Sequence, residues 1–297
     1  MIEITRALSA LLGCNVEVIH CAGVGGGDIH MSYQVELLAA GEIRKIFVKT
    51  NNENYSQLLE AEAQALLEIE KQAAIKTPQC LGLHEANGQA FLALEWLDLK
   101  SRGDDYALGC QLARLHQATH SRYGWHSDNF IGYSKQQNSW ADSWSEFWLA
   151  HRLKPQLELA DGQSFSKKLK KLQQPLLDAC EELLENYKPK ASLLHGDFWG
   201  GNKAFIADGQ PVIFDPASYY GDREVDLAMA GLFGGFTQDF YAGYESVWPL
   251  DVGFRKRKVL YNLYHQLNHL NMFGTSYLGE CLRAINTIVD ASSVDCT

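Results

Sequence analysis

The sequence has no run approaching the roughly 20 uninterrupted apolar residues that a bilayer-spanning helix needs, and it has no Cys-x-x-Cys pair. Its seven cysteines, at 14, 21, 80, 110, 180, 281 and 296, are odd in number and show no metal-finger spacing. That pattern fits a reducing compartment, and the chain reads as cytoplasmic. The opening MIEITRALSALLG carries Glu3 and Arg6 inside its apolar stretch, so it resembles an amphipathic helix more than a signal peptide. Basic residues are scarce: 26 Lys and Arg against 36 Asp and Glu leave a net charge of -10, which argues against nucleic acid as a partner. The RKRK run at 255–258 is a local exception and reads as a solvated helix face. Internal repeats and low-complexity linkers are absent too. No membrane partner is expected.

Two familiar site motifs also fail. A GxGxxG fingerprint starting at Gly23 would need glycine at 28, where Asp28 stands, and a strand-like segment follows instead of a helix. The HQLNH stretch holds His265 and His269 one turn apart but lacks the Glu of HExxH, so a metal role is not assigned to them.

What is present is a chain of 297 residues, 46% hydrophobic, long enough for two lobes with cores of their own. After the first helix, VEVIHCAG, DIHMSYQVEL and IRKIFVKT read as strands, SQLLEAEAQALLEIEKQA as a helix, and CLGLHE and QAFLALEW as two more strands. From residue 104 the pattern turns helical, with short strands at SLLH, KAFIA and PVIF. The expectation is an α+β chain of two lobes: a small β-rich N-terminal lobe with one main helix, 1–97, and a larger, mostly helical lobe, 98–297.

Four pieces carry chemistry. Gly25, Gly26 and Gly27 form a turn between two strands whose bare backbone N–H groups can approach phosphate oxygens. Lys49 ends an apolar strand, where its ammonium can meet nucleotide phosphates. A carboxylate on the next helix, Glu62 or the competing Glu60, can aim back at that lysine. The segment LLHGDFWGGNKAFIADGQPVIFDP then supplies Asp197, Asn202 and Asp215. Phosphoryl transfer to a hydroxyl needs a carboxylate that orients and accepts the proton, which Asp197 provides, and oxygen ligands for Mg²⁺, which Asn202 and Asp215 provide. Singly, each piece also reads as a turn, a strand end or a cap. Their joint order favours ATP and Mg²⁺ as cofactors. His195 can fix the backbone of Asp197, and Asp226 can brace the same loop through backbone N–H groups. Asp222 and Glu224 read as helix-start carboxylates that Arg223 could neutralise.

The motifs HGDFWGGN, FDPASYYGDREVDLAM, YGWHSDNFIG, LEWLDL and GCQLARLH together resemble the fructosamine kinase (ketosamine 3-kinase) family, within the protein-kinase-like and aminoglycoside phosphotransferase relatives. The resemblance implies a protein-kinase-like fold and ATP-dependent phosphorylation of the 3-hydroxyl of a sugar ketoamine, small or protein-bound, with deglycation as the sequel. It also implies adenine held by the hinge backbone at Glu95 and Leu97, and the substrate packed on Trp199. An aminoglycoside, choline or another amino alcohol is the alternative acceptor, and a pseudokinase scaffold the alternative class. The chain departs from many relatives at Lys135, where they have proline, and at Asp28 beside the glycines. Asp128 and Asn129, in a loop, are candidate substrate contacts. Trp140, Trp144 and Trp148, four residues apart, predict one helical face, read as a core stripe before a substrate wall.

Overall fold

Five strands, β1 (Val16–Val24), β2 (Met31–Ala39), β3 (Glu42–Asn52), β4 (Cys80–Ala86) and β5 (Gln89–Glu95), form an antiparallel sheet in the order β1-β2-β3-β5-β4. The computed structural model describes residues 2–25 and 29–294; Gly26, Gly27 and Asp28 lie outside the described residues. Period-two alternation decides what each face of the sheet meets. Val35, Leu37, Ile46, Val48, Phe91 and Ala93 pack with Ile4, Ala7 and Leu8 of helix α1 (Ile2–Leu12). On the other face, Ala90, Leu92 and Leu94 pack with Leu59, Ala63 and Leu66 of helix α2 (Ser56–Gln72). Strand β5 is thus buried on both faces, and its sequence accordingly shows no polar alternation.

The chain divides into two compact units, Met1–Asp104 with Lys203–Pro216, and Asp105–Asn202 with Ala217–Thr297. The expected single cut at 97/98 differs from this in two ways. The first unit continues to Asp104, and it takes back the hairpin whose strands are Lys203–Phe205 and Pro211–Ile213. Backbone hydrogen bonds explain the return: Lys100 and Phe205 exchange two (2.7 and 2.9 Å), and Ile213 N–H donates to the Lys76 carbonyl at 3.0 Å. Unpaired backbone groups in apolar surroundings are costly, so the returning strands follow their partners.

In the second unit, helix α3 (Asp105–His116) crosses the helix Gln238–Val247 at close range. A Cβ on Gly109 would stand 2.0 Å from the Phe240 carbonyl oxygen, and one on Gly243 would stand 2.1 Å from that of Tyr106. Only glycine fits either place. The helix that carries Trp144 and Trp148 begins at Trp144, capped by Ser143, and passes through a π turn at Leu149–Leu153 before continuing to Asp161. Trp144 and Trp148 are buried, as a core stripe requires, but Trp140 lies ahead of the cap and stacks on His120 with ring centroids 4.3 Å apart. The three-tryptophan face is corrected to two.

Two charge expectations also change. Arg257, within the RKRK run, is buried and donates to both oxygens of Glu224 at 2.7 and 2.8 Å, so that face is not uniformly solvated. Arg223 serves neither Asp222 nor Glu224 as a counter-ion; it donates to the Trp248 and Pro249 carbonyls and to the Tyr244 hydroxyl. Among the described residues no helix is long and apolar enough to cross a membrane.

Candidate active site

Within the first unit, Lys49 sits on the face of β3 that meets α2 and is only 6% exposed. Its Nζ donates to both oxygens of Glu62 (2.7 and 2.9 Å) and to Asp215 Oδ1 at 2.5 Å. The choice between Glu60 and Glu62 is therefore resolved. Glu62 shares the buried stripe of α2, whereas Glu60 is exposed and accepts from Gln64 one turn on. Burial disfavours the lysine's charge, but the Asp215 and Glu62 carboxylates outweigh it and hold its pKa above the ordinary value. Burial pushes the Glu62 carboxyl upward, helped by the nearby Asp215 and opposed by Lys49. Asp215 adopts a left-handed backbone (φ 57), a conformation that Asp tolerates better than most residues, and its side chain is 45% exposed.

His30, absent from the sequence-based candidates, stands beside β3, with its Nδ1 3.0 Å from Asn51 Nδ2. Burial and the Lys49 charge lower its pKa to about 4, with Asp215 opposing. Gly25 follows the end of β1, and its partners Gly26 and Gly27 fall outside the described residues. The Glu95 side chain accepts from Lys76 Nζ at 3.1 Å and from Gln79 N–H at 3.2 Å, pinning the chain before β4 to the end of β5. Leu97 lies in the half-buried segment after it.

Within the second unit, the HGD turn is built around its glycine. Gly196 has φ 84, and a Cβ there would stand 2.1 Å from the Ala217 carbonyl oxygen. Asp226, fully buried, accepts the N–H of His195 at 2.7 Å and of Gly196 at 2.9 Å. Behind it, His116 Nε2 lies 3.1 Å from Asp226 and its Nδ1 lies 2.8 Å from the Tyr244 hydroxyl. Burial lowers the His116 pKa, so the ring is neutral at pH 7; Nε2–H then donates to Asp226 and Tyr244 donates to Nδ1. Burial favours the neutral Asp226 carboxyl, but the hydrogen bonds from His116 and from the Gly196 N–H hold its pKa below the ordinary range. His116 lies in the quoted GCQLARLH, yet no local signal in that stretch names its partner.

On the turn itself, Asp197 N–H donates to His195 Nδ1 at 3.3 Å, and Asn202 Nδ2 donates to the Asp197 carbonyl and to its Oδ2 at 2.9 and 3.1 Å. Trp199 is 39% exposed and lies over Gly201, where a Cβ would stand 2.2 Å from the ring; Gly200 abuts Gly234 and Gly235. The double glycine thus makes room for one ring and one chain. Trp199 meets Phe233 edge-on at 6.4 Å.

The loop candidates fare differently. Asn129 is 3% exposed, donates to the Ser218 carbonyl and accepts from Asn138 Nδ2, so its amide braces the fold. Asp128 accepts Asn138 N–H at 3.0 Å and pairs with Lys135 at 3.0 Å, so the residue replacing proline closes that loop by charge. The same network ends on Arg152, fully buried in the π turn, which donates to Asn138 Oδ1 and the Gln137 carbonyl and lies 4.0 Å from the Tyr219 ring centroid. His265 is buried and its carbonyl accepts from His269 Nδ1, and no metal-ligating cluster of His, Cys, Asp and Glu occurs among the described residues.

Residues 1–291 match the family model described as fructosamine kinase. The chain belongs to the fructosamine kinase family. A Synechocystis protein named "Probable ketoamine kinase" is 41% identical, covering 94% of this chain and 96% of its own. The Arabidopsis thaliana "Protein-ribulosamine 3-kinase, chloroplastic" is 36% identical, covering 92% and 84%. A crystal structure from Haemophilus somnus 129PT, provisionally described as a fructosamine-3-kinase, superposes with a TM-score of 0.85 at 29% identity, covering 96% of both chains. The choline kinase LicA of Streptococcus pneumoniae shares the fold at a TM-score of 0.64 and 15% identity, over 97% of this chain and 98% of that one. The family's fold is therefore protein-kinase-like, an α+β arrangement in which the sheet belongs to the first unit and most helices to the second.

Proposed function

We propose that this protein is an ATP-dependent ketoamine 3-kinase: it transfers the γ-phosphoryl group of ATP to the 3-hydroxyl of a sugar ketoamine of the fructosamine or ribulosamine type. Release of the amine from the unstable 3-phosphate then makes it a deglycation enzyme. The observation that carries the reading is Lys49 held by Glu62 and Asp215, a buried cation of the kind that pairs with nucleotide phosphates. The curated relatives' names, ketoamine kinase and ribulosamine 3-kinase, support the acceptor.

In this reading Asp197 accepts the proton of the substrate hydroxyl as its oxygen forms the new bond to phosphorus. The bond from phosphorus to the bridging oxygen breaks, and its electron pair leaves with ADP. The brace of Asp226 and His195 keeps that carboxylate from turning away, which conserves orientation already imposed by the fold. Asn202 and Asp215 would hold Mg²⁺. Their oxygen donors, with Asp215 nearly half exposed in an otherwise buried group, suit a hard cation. When bound, the ion neutralises charge on the transferred group. Lys49 and Glu62 orient the phosphates, the backbone at Glu95 and Leu97 takes the adenine, and Trp199 takes the face of the sugar or its protonated amine. We place the activity in the cytoplasm, a reading that the six described cysteines, all free thiols, support.

Incubation with ATP, Mg²⁺ and a panel of fructose-lysine, ribulose-lysine, choline and kanamycin tests the assignment, with NMR locating the phosphate. Turnover of a ketoamine to its 3-phosphate is expected. Turnover confined to choline or kanamycin, or none at all, overturns it.

A further inference from the structure

Strand alternation puts Lys49 and Asn51 on the same face of β3. The orientation of the Asn51 amide is fixed from both ends: its Oδ1 accepts the Asn52 N–H at 2.8 Å, and its Nδ2 donates to the Ile29 carbonyl at 3.1 Å. The same Nδ2 lies 3.0 Å from His30 Nδ1. An amide nitrogen offers only hydrogens, so His30 Nδ1 must be the acceptor. A ring that accepts at Nδ1 is neutral and carries its proton on Nε2. An imidazolium would set N–H against N–H at that contact, and burial and the charge of Lys49 disfavour it as well. Ser32 pairs with Lys49 and Met31 with Thr50 across β2 and β3, so His30, one residue before β2, stands beside the end of β3 that carries Lys49, the residue that the kinase reading assigns to the nucleotide phosphates.

We propose that Asn51 locks His30 as its Nε2–H tautomer and that His30 is thereby a nucleotide-binding residue, donating a neutral hydrogen bond to a phosphate oxygen of ATP; the inference rests on the ATP-dependent reading above. Phosphate oxygens only accept. The opposite tautomer would turn a lone pair toward them, so the Asn51 amide decides the sign of the contact. Lys49 is already drawn by two carboxylates, and a neutral donor strengthens the phosphate site without adding a charge that ADP would have to leave behind.

The test compares ATP and adenosine binding, without ketoamine, in the wild type, His30→Ala and His30→Gln. His30→Ala is expected to weaken ATP about tenfold, the scale of one hydrogen bond to a charged acceptor, and to leave adenosine unchanged. His30→Gln, whose side-chain amide restores an N–H near the Nε2 position, should stay within about threefold of wild type. Nitrogen-15 NMR of the wild type should show the Nε2–H tautomer before nucleotide is added and a shifted Nε2 proton once ADP binds, a readout independent of whether any variant folds. Equal loss of adenosine and ATP would make His30 structural and overturn the proposal. Unchanged ATP affinity in His30→Ala, or an Nδ1–H pattern in the wild type, would do the same. A wild type that binds no ATP removes the kinase reading as well, whereas one that binds it with His30→Ala unaffected removes this inference alone.

Discussion

Asp226 Oδ2 accepts the backbone N–H of His195 at 2.7 Å, so a side chain on one helix fixes the turn that presents Asp197. Because the same carboxylate also takes Gly196 N–H and His116 Nε2, all of them buried, it has no substitute from solvent.

Asp226→Asn keeps the shape but sets an amide N–H against one of these donors. An unsatisfied buried donor costs about 1–3 kcal/mol, so kcat should fall roughly tenfold or more while ATP affinity holds. Steady-state kinetics beside nucleotide titration checks this. Unchanged kcat would show that the turn keeps its geometry unaided.

Asp197→Ala is expected to lower kcat by about 10²–10⁴, the range of a positioned general base, with nucleotide affinity nearly intact. Near-wild-type turnover would remove Asp197 from the proton-accepting role.

Asp215→Asn is the sharper probe of Mg²⁺, because asparagine also tolerates the left-handed backbone at this position. The Mg²⁺ concentration giving half-maximal ATP binding should rise about tenfold, as expected when one charged ligand becomes neutral. An unaltered Mg²⁺ dependence would count against the assignment.

Lys49→Met leaves Glu62 buried without its cation. Loss of one partner from a buried pair costs about 3–5 kcal/mol, so the urea midpoint should drop together with ATP affinity. A variant that binds ATP normally would refute the phosphate role.

The pH dependence of stability should expose Asp222. Burial and the neighbouring Glu224 push its carboxyl up to about 7, while Tyr261 donates to it at 2.6 Å. Between about pH 4 and 7 the unfolded chain has lost this proton and the folded chain keeps it, so stability falls as pH rises across that window. Asp222→Asn, fixed in the neutral form, should gain on wild type progressively from pH 4 to pH 7 in urea unfolding. A pH-independent difference would mean that Asp222 is ionised in the folded protein.

Much of this was legible before any coordinates because local rules suffice for it. Runs rich in β-branched and aromatic residues between glycine-bearing turns mark the strands, and the spacing of Asp197, Asn202 and Asp215 points to phosphoryl transfer. Other features depend on partners distant in sequence. Glu60 and Glu62 are alike as letters and are separated only by which stripe of α2 meets the sheet. Asn129 looks like an exposed loop amide until Ser218 and Asn138 claim it, and Arg257 looks solvated until Glu224 does. Nothing local singles out His30, because its partner Asn51 lies on β3, 21 residues away in sequence. Trp140 matches the helical period of Trp144 and Trp148, but periodicity alone does not register the Ser143 cap, which starts the helix after it.

The hairpin at 203–216 means that neither unit is one continuous stretch of polypeptide. A gene fragment ending at residue 104 would deprive Lys76 and Lys100 of their backbone neighbours, and one starting at 105 would carry an orphan loop. Swapping a front half between relatives to exchange nucleotide preference would therefore fail unless those fourteen residues travelled with it, 203 through 216 counted inclusively.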